Sequence, residues 1–311
     1  MVDAASKALF HGLAHVSLLR RLASRYGMRR GGFARRFIAG ESVEEAVAAV
    51  GPLASRGLLL TLDYLGESVK TTTEADAATR EYLDILQTIV ASGIERNISL
   101  KLTQLGLDVD RATAVDNMRR ILESADAHAF FVRIDMENSP YTEATLSIFE
   151  TLWQQGHRQI GTVIQSYLKR SEADIRRLNA LGSRVRLVKG AYKEPKEVAY
   201  QKKSEVDAAF VELMRLLLDE GTYPAIATHD PDMIDATKAY ARSKGYANHR
   251  FEFQMLYGIR RDLQTALVKD GYQVRVYVPF GKQWYPYFMR RLGERPANVA
   301  FVVKGILSDR G

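Results

Sequence analysis

The 311-residue sequence contains no cysteine. That excludes disulfides, thiolate metal sites, iron–sulfur clusters and a cysteine nucleophile, and it fits a reducing compartment. Proline is scarce, with 8 residues, and no Pro/Ser-rich stretch marks a linker. No uncharged apolar run approaches the length that crosses a bilayer, and the N-terminus lacks a signal-peptide core. The expectation is a cytoplasmic protein that touches the inner face of a membrane peripherally at most. The six histidines are scattered, and only His229 falls at a strand end with no second histidine placed to share an ion, so no metal site is expected. GxGxxG after a strand, GxxxxGK[ST], GxSxG and HExxH are all missing, which leaves Rossmann, P-loop, serine-hydrolase and zincin readings without support.

What is present can fill a large core, since 46% of residues are hydrophobic. Lys+Arg number 44 against 37 Asp+Glu, a net charge of +7 that is a weak field over this length. Arg20, Arg21, Arg25, Arg29, Arg30, Arg35 and Arg36 crowd the first forty residues, broken by Gly27, Gly31 and Gly32. They read as a solvated helical arm; without interleaved aromatics for stacking bases, no nucleic-acid partner is expected.

From Gly57 onward eight β-rich runs recur, each followed by an amphipathic stretch. The runs are GLLLTL, NISLKL, FFVRIDM, QIGTVIQ, VRLVKG, PAIATH, FEFQML and VRVYVPF. Stretches such as 72–92 and 206–219 space apolar residues at three and four, as helices do. Eight strand–helix repeats predict a (β/α)8 TIM-like barrel, because a doubly wound sheet normally stops at five or six strands. The first 56 residues do not repeat the pattern and are expected to form an N-terminal helical arm packed on a barrel of residues 57–311. Within that arm Ser42 with Glu45 three residues on is a capping-box signature for a helix running through Ala49.

In such a barrel the active site lies at the C-terminal ends of the strands. Polar residues occur there in nearly every repeat: Asp63 and Glu67 follow the first run, Lys101 sits in the second, and Asp135 and Glu137 lie in the third. Gln165 belongs to the fourth, Arg186 and Lys189 to the fifth, Thr228 and His229 to the sixth, Gln254 to the seventh and Tyr277 to the eighth. After the eighth run comes WYPYFMRRLGE, whose Pro286 suits a first helical turn. Glu294 lies four residues from Arg290 and three from Arg291, within reach of either guanidinium on a helix. Paired guanidinium groups at the rim suit a carboxylate ligand. From the residues alone other classes stay open. A barrel lysine, Lys101 or Lys189, could form a Schiff base as in aldolases, and the basic arm could make the protein a binding module.

Taken in order, KLTQLG around Lys101, RIDMEN around Asp135, VIQSYLKR around Gln165, RLVKGAY from Arg186, ATHD at Thr228, FEFQMLYGIR and the RRLGE of Arg290 resemble the proline dehydrogenase family. The likeness runs from Gly57 to about Gly305, and the absence of an aldehyde-dehydrogenase region makes the chain similar to the monofunctional bacterial form. The resemblance implies FAD as cofactor, oxidation of L-proline to 1-pyrroline-5-carboxylate by hydride transfer to flavin N5, and electron delivery to membrane quinone. It also implies handover of the product to a separate 1-pyrroline-5-carboxylate dehydrogenase. By the same resemblance Asp135 and Arg186 are catalytic, with Arg186 near flavin N5. Lys101, Arg290 and Arg291 clamp the substrate carboxylate, and Tyr277, Leu256, Ala191 and Tyr287 wall the ring pocket. Glu67 closes over Arg290 as an ion-pair gate. The cofactor is expected against Met136, Gln165, Arg186, Val188, Lys189, Gly190, Ala191, Thr228, His229 and Glu294. Lys193 departs from the bifunctional members, which carry Trp there, and Tyr257 replaces a His of some relatives.

Overall fold

The computed structural model describes residues 27–29 and 32–294, with side chains as far as Leu292. The expectations for residues 1–26 and for the chain after Glu294 lie outside the described residues, as does the side chain of Glu294.

Eight strands form one closed parallel barrel in sequence order: β1 (Leu59–Tyr64), β2 (Asn97–Leu100), β3 (Phe131–Ile134), β4 (Ile160–Gln165), β5 (Arg184–Val188), β6 (Ala225–Ala227), β7 (Glu252–Leu256) and β8 (Gln273–Phe280). Closure is by β8 against β1, from Leu59 opposite Arg275 to Tyr64 opposite Phe280. Helix α1 (Val43–Ala54) precedes the barrel. Helices α2 (Thr72–Ser92), α3 (Arg111–Ala127), α4 (Thr142–Gln154), α5 (Ser171–Ala180), α6 (Lys203–Glu220), α7 (Pro231–Ser243) and α8 (Arg261–Lys269) follow the first seven strands, and α9 (Trp284–Glu294) follows the eighth.

The two-residue period of the strands sorts the side chains. Leu60, Leu62, Ile98, Leu100, Val132 and Ile134 join the apolar shell beneath the helices, where each buried aliphatic chain is worth about 1.5–3 kcal/mol. The alternate residues Thr61, Ser99, Arg133, Glu252 and Arg275 are also buried, so polar side chains occupy positions that barrels usually fill with branched aliphatics. Most of their polar atoms find partners inside the barrel, though Arg133 Nε has none among the described residues. Arg275 Nε lies 2.9 Å from Glu252, its Nη1 reaches Glu95 at 2.5 Å, and Arg133 donates to the carbonyls of Thr162 and Arg184 at 3.1 and 2.6 Å.

Helix starts follow their caps. Thr71 and Glu74 complete a capping box for α2, an arrangement typically worth ~1 kcal/mol. The box expected at Ser42 is only half formed: Ser42 Oγ accepts from Glu45 N–H, but the Glu45 carboxylate accepts from the Glu41 N–H and from Arg35 instead. The helix also continues to Ala54 rather than stopping near Ala49. A second apolar cluster joins Met28, Ala34, Phe37 and Ile38 to Trp284, Tyr287, Phe288 and Leu292 of α9. The backbone before α1 also pairs with the end of β8, Ala39 N–H to Pro279 O and Gly281 N–H to Gly40 O, both 2.9 Å.

Candidate active site

Several expected site residues stand just past the strands instead of within them. Lys101 is the first residue after β2, Asp135 the first after β3, Lys189 the first after β5, and Thr228 and His229 the first two after β6. Backbone bonds to the neighbouring strands still hold several of them, Asp135 N–H to Leu100 O at 2.8 Å and Thr228 N–H to Gln254 O at 3.2 Å, and these positions bring residues of distant repeats together.

Asp135 is the centre of that convergence. Its carboxylate accepts from Arg186 Nη1 at 2.8 Å, from the Tyr277 hydroxyl at 2.8 Å and from Lys101 Nζ at 3.3 Å. Lys101 also reaches Asp63 at 3.3 Å, and Arg186 Nη2 donates to Ser99 Oγ at 3.0 Å. The Arg186 guanidinium sits over the Tyr277 ring, 5.3 Å from its centroid. Burial by itself would lower the Lys101 ammonium, but Asp63, Tyr277 and Asp135 outweigh it and hold the group well above the usual lysine range. Burial pushes the Tyr277 phenol well up, reinforced by Asp135 and Asp63, so it stays a hydrogen-bond donor. Burial also raises Asp63 against the pull of Lys101.

Charge counting gives the site its sign. Asp63 and Asp135 offset Lys101 and Arg186, after which Arg290 and Arg291 add two cations and Glu67 one carboxylate. Arg290 Nη1 lies 3.3 Å from Glu67 Oε1, and the Arg291 guanidinium covers the Tyr287 ring at 5.0 Å. Among these seven described groups one positive charge is in excess, which suits a ligand bearing one carboxylate.

A cavity of about 560 Å³ opens at this rim. Lys101, Asp135, Arg186, Tyr277, Arg290 and Arg291 line it, as do Leu256, Ala191 and Tyr287. On the far side of the same cavity stand Met136, Gln165, Val188, Lys189, Gly190, Thr228 and His229. Of the predicted residues whose side chains are described, Glu67 and Glu137 are not part of the lining; Glu67 meets Arg290 and Glu137 meets Thr103 instead. The Lys189 ammonium turns to Asp207 and to Asp230, the latter at 2.6 Å, so it lines the cavity with its stem. His229 Nε2 accepts the Leu256 N–H at 2.9 Å, which in a neutral ring puts the proton on Nδ1. Sequence reasoning passed over Tyr192 and Met289 as pocket residues, both of which line this cavity, whereas Gln254, expected at the end of the seventh run, lines it as well. Burial lifts the Tyr192 phenol to about 12. Tyr192 stands in the RLVKGAY run, and its aromatic ring at a strand-end loop was the available signal.

The donor set fits a flavin. Among the described residues Gln165 Oε1 and Arg186 Nε are buried without a hydrogen-bond partner, an acceptor and a donor of the kind that the mixed polar edge of an isoalloxazine ring engages. Gly190, at φ +114°, brings bare backbone to the cavity wall.

The profile of the proline dehydrogenase family matches residues 46–304. Over 301 residues the chain is 43% identical to proline dehydrogenase 2 of Bacillus subtilis (strain 168), covering 97% of this chain and 98% of that one. Identity to proline dehydrogenase 1 of the same organism is 45% over 299 residues, 96% of this chain and 98% of that one. The fold is similar to the crystal structure of proline utilization A (PutA) from Bdellovibrio bacteriovorus inactivated by N-propargylglycine. The TM-score is 0.78 at 27% identity over 84% of this chain, and the match spans 32% of that longer chain.

Proposed function

The chain belongs to the proline dehydrogenase family, and on that premise we propose that it oxidises L-proline to 1-pyrroline-5-carboxylate with FAD as its cofactor. The observation that carries this reading is the convergence of Lys101, Arg290 and Arg291 on the cavity that Gln165 and Arg186 also line. When bound, FAD supplies the acceptor for the hydride that leaves the ring carbon beside the proline nitrogen, and the electrons pass on to membrane quinone.

The chain's own residues bind and aim. Lys101, Arg290 and Arg291 grip the substrate carboxylate by charge-assisted hydrogen bonds, which orients the ring for transfer. An ammonium has three donors, and Asp63 and Asp135 take two of those on Lys101, leaving the third for substrate. Tyr277, Leu256, Ala191 and Tyr287 exclude water around the ring. Asp135 fixes Arg186, Lys101 and Tyr277 together, and Arg186 supplies positive charge beside the cofactor's reacting edge. Met136, Gln165, Val188, Lys189, Gly190, Thr228 and His229, which line the cavity, would hold the remainder of the FAD. Glu67 closes the entrance by pairing with Arg290. In this reading residues 1–56 are an arm on the barrel of residues 57–311, the protein acts from the cytoplasmic side at the membrane surface, and its product goes to a separate 1-pyrroline-5-carboxylate dehydrogenase.

The visible spectrum of the purified protein tests the class. Flavin bands that bleach on anaerobic addition of L-proline, and return with a quinone analogue, are expected. A colourless protein after FAD supplementation, trapped by borohydride with a carbonyl compound, would move the assignment to Schiff-base chemistry at a lysine.

A further inference from the structure

The clamp and gate leave one buried carboxylate of this rim without a task. Glu137 is 4% exposed, and both of its oxygens are spent on one neighbour: Oε1 accepts from the Thr103 hydroxyl at 2.7 Å and Oε2 from the Thr103 N–H at 3.3 Å. Thr103 is fully buried in the 3-10 turn Leu102–Leu105 that follows Lys101. That turn is in contact with the gate loop. Thr103 Oγ1 accepts the Ser68 N–H at 3.1 Å, and the Thr103 carbonyl accepts the Val69 N–H at 3.1 Å. One residue before the gate, Gly66 lies so close to Gln104 that a Cβ would stand 2.3 Å from its side-chain nitrogen. Glu67 is thus the free tip between two anchored neighbours.

We infer that Glu137 and Thr103 are positioning residues for the gate, holding the Gly66–Val69 backbone so that Glu67 faces Arg290. This rests on the gate reading of Glu67 given above. The chemistry fixes the sense of the relay. Burial raises the Glu137 carboxyl and the Thr103 hydrogen bond opposes that; the Thr103 hydroxyl donates to Glu137, and its lone pairs are left facing Ser68. Ser68 is held at φ +58°, a left-handed conformation that a non-glycine residue keeps only where its surroundings impose it. The two hydrogen bonds to Thr103 are that imposition. The Glu137 carbonyl, which accepts from Gln165 Nε2 at 3.2 Å, is untouched by changes to its side chain, so the relay is separable from the cofactor wall.

Steady-state proline kinetics of the flavin-loaded enzyme decide the matter, with Glu67→Ala, Thr103→Val, Thr103→Ser and Glu137→Ala beside the doubles that combine Glu67→Ala with Thr103→Val or Glu137→Ala. Flavin content and the flavin absorption spectrum serve as folding readouts, and Thr103→Val, close in shape to threonine, covers the case in which Glu137→Ala fails to fold. We expect Glu67→Ala, Thr103→Val and Glu137→Ala each to raise the KM for proline by roughly five- to tenfold, with kcat within about twofold of wild type. Thr103→Ser keeps the hydroxyl and the wild-type KM. Each double should match Glu67→Ala alone, because a residue acting through the gate has nothing left to position. If Glu67→Ala raises KM while the Thr103 and Glu137 variants do not, or if the doubles are additive, the relay is overturned and the gate stands. If Glu67→Ala leaves KM unchanged, the gate reading itself fails and the relay falls with it.

Discussion

Around Asp135 three donors from three different strands or strand ends meet one carboxylate. Such a residue stabilises the others by leaving none of them an unpaired buried charge, and losing it would cost far more than any single bond in the set. The arginine pair stands in a different setting: Arg290 is a quarter exposed and, among the described residues, its ion pair is the one with Glu67 at 3.3 Å, which suits the proposed contact with substrate. Arg290→Met and Arg291→Met are therefore expected to retain bound flavin and lose about 10- to 100-fold in kcat/KM, chiefly through KM, the equivalent of one charged hydrogen bond of about 1.5–3 kcal/mol each. Stopped-flow reduction of the flavin at several proline concentrations checks this, and unchanged kinetics in both variants would remove the clamp. Much of the rim was legible from sequence because charged residues at strand ends are conspicuous against apolar runs. Tyr192 and Met289 were not, because an aromatic or a methionine beside a charged motif looks like ordinary packing until the loop that carries Tyr192 and the helix that carries Met289 are seen to border the cavity.

At the level of elements, the alternation of period-2 runs with helical spacing gave eight strands in the right order, and residues 72–92 match α2 at both ends. The strand ends were read too far along. Lys101, Asp135 and Lys189 continue the β-rich letters, but the strands end one residue earlier, with a last backbone bond still running from Asp135 N–H to Leu100 O and from Tyr167 N–H to Lys189 O, and side-chain pattern does not mark where such pairing ends. The loop after β5 shows how tightly such an end is built. Gly190 adopts φ +114°, and a Cβ there would stand 2.5 Å from the Tyr167 ring. Gly190→Ala is expected to cost about 1–3 kcal/mol of local strain and to appear as a lower ratio of flavin to protein absorbance, with the barrel intact by circular dichroism. A full flavin complement in that variant would show that the loop can relax without moving the cofactor wall.

Across the whole molecule, the barrel interior is held by ion pairs as much as by hydrocarbon. Glu252 is 1% exposed; burial would raise its carboxyl, but the Arg275 guanidinium outweighs this and the net shift is below the ordinary 4.5. A depressed carboxyl stabilises the folded state above its unfolded value and loses that contribution as pH falls through the folded value. Between roughly pH 5 and pH 3 the wild type should thus lose melting temperature more steeply than Glu252→Gln, although the variant starts lower because Arg275 loses its charged partner. Thermal scans across that range check it, and parallel slopes would mean that the pair contributes nothing to acid sensitivity. No sequence pattern announces such a filling: Arg133, Glu252 and Arg275 occupy inward positions of strands whose outward residues alone make the apolar signal.

The cluster that joins Met28, Ala34, Phe37 and Ile38 to the back of α9 ties the two ends of the described chain together behind the arginines. Their aim is consequently set from outside the barrel: a cut or a pull near the beginning of the polypeptide would slacken the helix that bears Arg290 and Arg291, and the enzyme would lose its hold on a small anion while every group that touches that anion was still in place.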